Sequence, residues 1–364
     1  MDRSGTTRAV ILVGTLLAVA ILALPCQAEL TAAEILVSAD AARAAGSIAQ
    51  AKELYAQVVT AFPEAGEAAV AGWRLGWIAY NEKDFVQSER QFQWVADNHP
   101  ATAKGRDSLL RVAYLAAKEK RPDALQRFLD VTLRYPDSAV AQMAKSRAAR
   151  LQTRGLDLDA AAGNFKAAKD SPKGNIEVKA EAAALEGMTY LQKYYKTGDE
   201  GILAKGITTL QSVQEQFPKS TKGVAWSRFR LGIFYIHEGR KVKDERYKND
   251  AVRGRQILQD AVANLPFNYF TWWMKAEVVA SYIAEGADDQ VVAECRRVLA
   301  ENPPASWDEY ITYLLGSAQI RLGQTEAGVT TFQQLVGKYP AGEWADAASS
   351  RLKTLAELGE VMSE

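Results

Sequence analysis

The chain has 364 residues, of which 48% are hydrophobic and 24% charged, and its 44 basic and 44 acidic side chains cancel at neutral pH. That balance predicts no general attraction to nucleic acid or anionic lipid. Two cysteines and two histidines exclude a disulfide scaffold, and a zinc site would need carboxylates at a recognisable spacing that the sequence does not offer.

The chain begins as an export signal does. Arg3 and Arg8 make a basic start, residues 9–24 are uncharged and almost wholly apolar, and Pro25 ends the run. Cys26-Gln27-Ala28 then offers small residues before Glu29, so cleavage is expected between Ala28 and Glu29. The alternative is an uncleaved anchor, since residues 9–24 fall just below the ~20 residues of a spanning helix. Lipidation of Cys26 is disfavoured by Leu24 and Pro25, which stand where a lipoprotein cleavage motif needs small residues. Loss of residues 1–28 leaves Cys295 as the single thiol, in helical register with Val291, Val292, Val298 and Leu299, and therefore a small buried hydrophobe.

Beyond residue 28 the chain is long for one core, yet no linker divides it. Pro63, Pro100, Pro136, Pro172, Pro218, Pro266, Pro303 and Pro340 are spaced by 37, 36, 36, 46, 48, 37 and 37 residues. Such a lattice marks an array of paired helices, each pair closed by a residue that cannot continue a helix. Eight pairs follow. The first, about 31–63, is Ala-rich.

The second, GEAAVAGWRLGWIAYNEKDFVQSERQFQWVADNHP (66–100), shows the plan. Trp73, Trp77 and Tyr80 share one side of a helix, Leu75, Ile78 and Ala79 cover the next, and Asn81–Asp84 breaks the pattern. Asp84 is the expected cap of the second helix, with Gln87 at the capping-box position. Phe85, Ser88, Phe92, Val95 and Ala96 then recur at helical spacing up to Pro100. Gly76 costs ~1 kcal/mol inside a helix relative to alanine, which implies close approach of the partner helix.

The third pair keeps Ala124, Phe128 and Val131 at the same offsets, and Pro122 falls in its inner turn. The fourth is degenerate. The fifth carries Leu185, Gly187 and Tyr190, the sixth Leu231-Gly232, and the seventh ends at Pro303-Pro304. The eighth repeats Leu315-Gly316, Gly323 and Phe332, and opens with Ser306 and Glu309 as an expected capping box. A last helix from about Glu343 buries Trp344, Ala348, Leu352 and Leu355 and caps the array. The two long intervals hold insertions, KTGDEG (196–201) and GRKVKDERYKNDAVRGR (239–255). The second is rich in basic residues, and it reads as a solvated loop or as a contact for an acidic partner.

Leu75-Gly76, Ser88, Phe92 and Pro100 resemble the tetratricopeptide repeat, whose pattern runs Leu-Gly, small, aromatic, small and a closing Pro. Trp73 and Tyr80 each stand one place from the family's large residues. The resemblance implies an all-α, TPR-like α-solenoid, a right-handed superhelix of about eight hairpins with a C-terminal capping helix at 343–364. In that family the first helix of each pair lines a concave groove. Carrying those positions over gives Trp73, Trp77 and Tyr80 in the second pair, Trp226, Phe229 and His237 in the sixth, Trp273 in the seventh, and Tyr310, Tyr313 and Arg321 in the eighth. Aromatics at helical spacing also fill cores, and packing under a neighbouring hairpin accounts for most of the dense run PFNYFTWWMK (266–275).

No phosphate loop, Walker lysine, GxSxG elbow or dinucleotide fingerprint is present in the sequence, so no catalytic residue and no cofactor is assigned. The array, the export signal and closures such as "YPDS" and "FPKS" resemble two groups of bacterial envelope proteins, those of outer-membrane β-barrel assembly and those linked to the Tol-Pal system and cell division. The resemblance implies a non-enzymatic periplasmic scaffold. Its partners would be other envelope proteins or extended peptide segments, not nucleic acid, with any membrane association made through those partners. Retention of the first helix would instead make it an inner-membrane-anchored adaptor.

Overall fold

The computed structural model describes residues 30–239, 242–248 and 250–363, with side chains as far as Glu357. The expected signal and its Ala28–Glu29 junction lie outside the described residues. Within them are seventeen α-helices and no strand. They gather in two compact units, one ending at Leu115 and one beginning at Ala116.

The amino-terminal unit holds α1 (Ala32–Ala44), α2 (Ile48–Ala61), α3 (Gly66–Asn81), α4 (Phe85–Asn98) and most of α5 (Ala103–Lys118). The carboxy-terminal unit continues with α6 (Ala124–Arg134), α7 (Ala139–Arg154), α8 (Leu158–Lys169), α9 (Ile176–Thr197), α10 (Glu200–Gln216) and α11 (Thr221–Ile233). It ends with α12 (Ala251–Asn264), α13 (Thr271–Glu285), α14 (Asp288–Leu299), α15 (Ala305–Arg321), α16 (Thr325–Lys338) and α17 (Glu343–Ser363). Every proline of the lattice falls between helices. Starts are set by side chains that accept from the first free backbone N–H groups. Thr31 and Glu34 form a full capping box, and Asp84 accepts from Gln87 N at 2.9 Å. Ser138, Asp157, Asn175, Asp199, Ser220 and Asp250 cap their helices in the same way.

In the second, fifth, sixth and eighth pairs one contact is repeated. A Cβ on Gly76 would lie 2.7 Å from Phe92, and one on Gly316 would lie 2.6 Å from Phe332. Gly187 faces Leu210 and Gly232 faces Leu258 in the same way, at 2.7 and 2.4 Å. The glycine is a socket and the large residue of the second helix its knob. Four residues before each knob stands a small residue that rests on the socket's carbonyl. Ser88 Oγ donates to Gly76 O at 2.9 Å, while Gly206, Gly254 and Gly328 bring bare Cα atoms to the carbonyls of Gly187, Gly232 and Gly316.

Knob follows socket by sixteen residues in the second and eighth pairs, by twenty-three in the fifth and by twenty-six in the sixth. The added residues therefore lie between socket and knob and leave the socket–knob contact itself in place, with Gly254 near the end of the second insertion resting on the Gly232 carbonyl. In the first and fourth pairs Ala39 and Ala149 take the socket position, against Tyr55 and Phe165, all of them buried. In the seventh the sizes are exchanged: Val279 fills the socket and the knob is Cys295, fully buried. This conserves volume, as a close-packed seam requires.

Successive pairs are joined twice. Each second helix of the carboxy-terminal unit packs on the next first helix, and first helices pack on one another, α7 on α9, α9 on α11, α11 on α13 and α15 on α17. Polar clamps reinforce the second set. Gln142 on α7 accepts from Asn175 N at 3.0 Å, at the start of α9. Glu177 on α9 accepts from Ser220 Oγ at 2.6 Å and from the Thr221 and Lys222 amides, at the start of α11.

Glu309 on α15 accepts from Trp344 N and Ala345 N at 2.7 and 3.1 Å. The expected Ser306–Glu309 capping box is thus not formed. Pro303-Pro304 starts α15 at Ala305, which puts Ser306 inside the helix and frees Glu309 to hold the start of α17.

The knob–socket pairing predicts non-additive mutants. Gly316→Val should lower stability by about 1–3 kcal/mol through overpacking against Phe332. Adding Phe332→Cys, which recreates the seventh pair, should cost at least ~1 kcal/mol less than the sum of the single losses. Urea melts of the four proteins would show this, and strictly additive losses would contradict a shared space. Burial pushes the Cys295 thiol up to about 12. It should therefore stay protonated and unlabelled by a thiol reagent from pH 6 to pH 9, and react only when denaturant opens the fold.

Candidate functional site

In the amino-terminal unit the three aromatic residues of α3 are half-buried against α4 and α5. Trp73 Nε1 donates to Asp107 Oδ2 at 2.7 Å, and Lys104 Nζ lies 3.4 Å from the centre of its ring. Arg111 binds the same Asp107 at 2.9 Å and lies 5.0 Å from the centre of the Trp77 ring. Trp77 meets Trp73, Tyr80 and Phe92 edge-on at 6.0, 5.4 and 5.7 Å. Its indole N–H is buried with no acceptor among the described residues. Burial first, and Arg74 second, pull the Lys104 ammonium below its ordinary range. Aromatic faces under cations are recognition chemistry, but here α5 supplies the cations.

In the carboxy-terminal unit Trp226 packs against the cluster of Ala149 and Phe165 and lies against Phe270 at 5.5 Å. Phe229 meets the same Phe270 at 5.5 Å, and His237 Nε2 is 2.9 Å from Glu277. Tyr310 lies between Trp307 and Trp344, at 6.3 and 4.7 Å, and Tyr313 between Trp344 and Phe332, at 5.1 and 5.7 Å. Burial, then Glu277, raise the Tyr310 phenol above its usual range.

Trp273 differs. It is 43% exposed and edge-on to Trp307 at 4.8 Å; Phe267 and Tyr269, earlier in the same run, are exposed as well. Arg321 is exposed too, but forks onto Asp288 at 2.6–3.0 Å. It lines a cavity of about 330 Å³ between α15 and α17, with Ser317, Arg351 and Leu355. Of the ten residues carried over, Trp273 and Arg321 present themselves to solvent, and the other eight are half-buried.

A further cavity, of about 360 Å³, was missed by the sequence reading. Arg150, Thr153 and Arg154 of α7, Met188, Thr189, Gln192 and Tyr195 of α9 and Arg230 of α11 surround it over a floor of Phe165 and Leu185. It lies where three consecutive first helices pack side by side. Arg150 donates to Glu181 at 2.5 Å and covers the Trp226 ring at 5.3 Å. Arg230 forks onto Glu238 at 3.0–3.3 Å, and Tyr195 donates to the same carboxylate. Burial, reinforced by Glu238, holds the Tyr195 phenol protonated far above its ordinary range. The fourth pair lacks the Leu-Gly that sets register elsewhere, so the inward face of α7 was not assigned. The available signal was Arg150 and Arg154 at i, i+4.

The basic insertion is largely self-neutralised among its described residues. Arg246 bonds Asp244 at 2.7 Å, Lys248 pairs with Glu245, and Arg255 bonds Glu285 at 2.8 Å. Arg253 donates to Arg246 O at 2.9 Å and covers the Tyr235 ring at 4.1 Å. Val242 is buried rather than solvated, and Glu245–Tyr247 forms a 3-10 turn. Arg240 and Lys241 lie outside the described residues.

Residues 312–342, within the eighth pair, match the tetratricopeptide repeat. Solved structures similar to this chain include a tetratricopeptide repeat protein from Parabacteroides merdae, 14% identical over 79% of this chain and 98% of that one, with a TM-score of 0.45. Yeast Tom70 is 13% identical over 94% of this chain and 67% of that one, with a TM-score of 0.48. The C-terminal part of a TPR repeat-containing protein from Cytophaga hutchinsonii is 11% identical over 86% and 98%, with a TM-score of 0.40. No curated protein sequence matches the chain.

Trp73→Phe keeps the ring and removes the donor to Asp107, so it should destabilise the amino-terminal unit by about 1–2 kcal/mol. Hydrogen exchange along α3 and α5 would report it, and unchanged protection of both helices would show that the bond does not join them.

Proposed function

We propose that this TPR-type helical scaffold is exported to the periplasm. There it would act without catalysis, holding extended segments of other envelope proteins in the service of outer-membrane assembly or cell division. The observation that carries the binding reading is the cavity along α7, α9 and α11, where arginine, tyrosine and hydroxyl groups surround an apolar floor. Arginine and tyrosine are enriched at binding hot spots, and a cavity of that size takes side chains of a passing chain rather than a folded domain. The exposed aromatic group of Phe267, Tyr269 and Trp273 offers a second point of contact. The periplasmic assignment rests on the basic and apolar start of the sequence.

Three measurements test the proposal. Amino-terminal sequencing of the cellular protein should begin at Glu29; a chain starting at Met1 would favour the membrane-anchored alternative. A photocrosslinker placed in cells at position 77, 192 or 273 should capture defined envelope proteins. Cell-wall cleavage by the purified chain would overturn the non-enzymatic assignment.

A further inference from the structure

The residues lining the α7–α9–α11 cavity include three arginines and no carboxylate. Two acidic residues reach it from outside. Glu181 is divided between Arg150 and Lys222, at 2.5 and 2.9 Å. Glu238 takes Arg230 and Tyr195 together. Arg154, exposed at the rim, makes no ion pair among the described residues, and Arg230 keeps a buried Nε without an acceptor. Four cations thus face two carboxylates in a chain whose formal net charge is zero.

Glu238 differs from Glu181 in where it stands. It closes the π-helical turn Phe234–Glu238 that ends α11, next to the second insertion. A π turn of this kind is a local irregularity of the sort that accompanies functional sites. Its carboxylate is fastened on one side only, by a phenol and one guanidinium, and both are cavity-lining groups.

We infer that the cavity receives a side-chain carboxylate from an extended partner segment, with an apolar neighbour seated over Phe165, Leu185 and Met188, and that Glu238 is a resident stand-in which this carboxylate displaces from Arg230 and Tyr195. The inference rests on the peptide-binding reading and specifies its ligand. The planar forks of arginine match a carboxylate in two bonds at once, which a lone ammonium does not. Arg154 is the free entry contact. Displaced Glu238 stands partly exposed at the end of a turn, within reach of water to solvate it, so exchanging one carboxylate for another costs little. The incoming residue gains the apolar floor in addition.

The test uses the purified chain and two fluorescent peptides with blocked ends, repeats of Gly-Leu-Glu and of Gly-Leu-Gln. Blocked ends restrict the reading to side-chain carboxylates. The Glu peptide should bind about tenfold tighter than the Gln peptide. Arg154→Ser should reduce that preference at least about fivefold, while Glu238→Gln, which keeps the shape and removes the competing charge, should strengthen Glu-peptide binding about threefold or more. Arg154→Ser should melt with the parent and Glu238→Gln somewhat below it, still folded at the temperature of the binding measurement. Equal affinity for the two peptides, or weaker binding after Glu238→Gln, overturns the inference. So does displacement of the peptide by inorganic phosphate at a few millimolar, which would make the site a phosphate site. A photocrosslinker at position 192 separates the two levels. Defined partners captured there without any Glu preference leave the scaffold standing and sink the acidic ligand, whereas no capture from 77, 192 or 273 sinks the scaffold.

Discussion

Two helices approach most closely where one of them omits a Cβ. That omission, met by a large residue sixteen or more positions later, organises four of the pairs of this protein. Gly76 with Phe92, Gly187 with Leu210, Gly232 with Leu258 and Gly316 with Phe332 are four versions of one contact, and Val279 with Cys295 is the same contact with the sizes reversed. Burying one such knob is worth about 1.5–3 kcal/mol, comparable to the penalty of overfilling its socket. The volume of the pair is therefore constrained while its residue types are not. The insertions between socket and knob cost little because the socket–knob contact is kept at each, as Gly187 with Leu210 and Gly232 with Leu258 show.

The second constraint acts between pairs. Gln142, Glu177 and Glu309 each sit near the start of a first helix and satisfy backbone N–H groups at the start of the next one. Free amides at a helix start carry partial positive charge, so a carboxylate or amide oxygen from a neighbour is both a cap and a tie. Two of these clamps, from α7 to α9 and from α9 to α11, hold the three helices that line the arginine cavity. Its geometry is thus set by packed helices rather than by a loop. The pairing of Arg150 with Glu181 and of Arg230 with Glu238 keeps its cations from repelling one another when nothing else is bound.

Many large aromatics along the first helices meet other rings rather than water. Trp77, Tyr310 and Tyr313 each touch rings from neighbouring helices, and Trp226 touches Phe270 at the start of α13. A ring at a groove-facing offset is also the nearest available filler for the angle between two first helices, and burial of its area favours that use. Trp273 escapes because it lies in the first turn of α13, where fewer neighbours reach it.

The paired helices, their order and their breaks were legible in the sequence, because a proline cannot continue a helix and helical spacing of apolar residues is a local property. The socket glycines were legible for the same reason, since a glycine inside a good helix has a cost that packing must offset. The partner of a polar side chain was not. Ser306 and Glu309 have the spacing of a capping box, yet Glu309 holds α17, because two prolines move the helix start by two residues and the next helix start lies within reach. The arginine cavity was hidden likewise. Its members come from four helices spread over some eighty residues, and α7 carries alanine where a glycine would have marked the register. Periodicity is encoded within a helix, whereas which carboxylate meets which cation is decided only when helices distant in the chain are laid side by side.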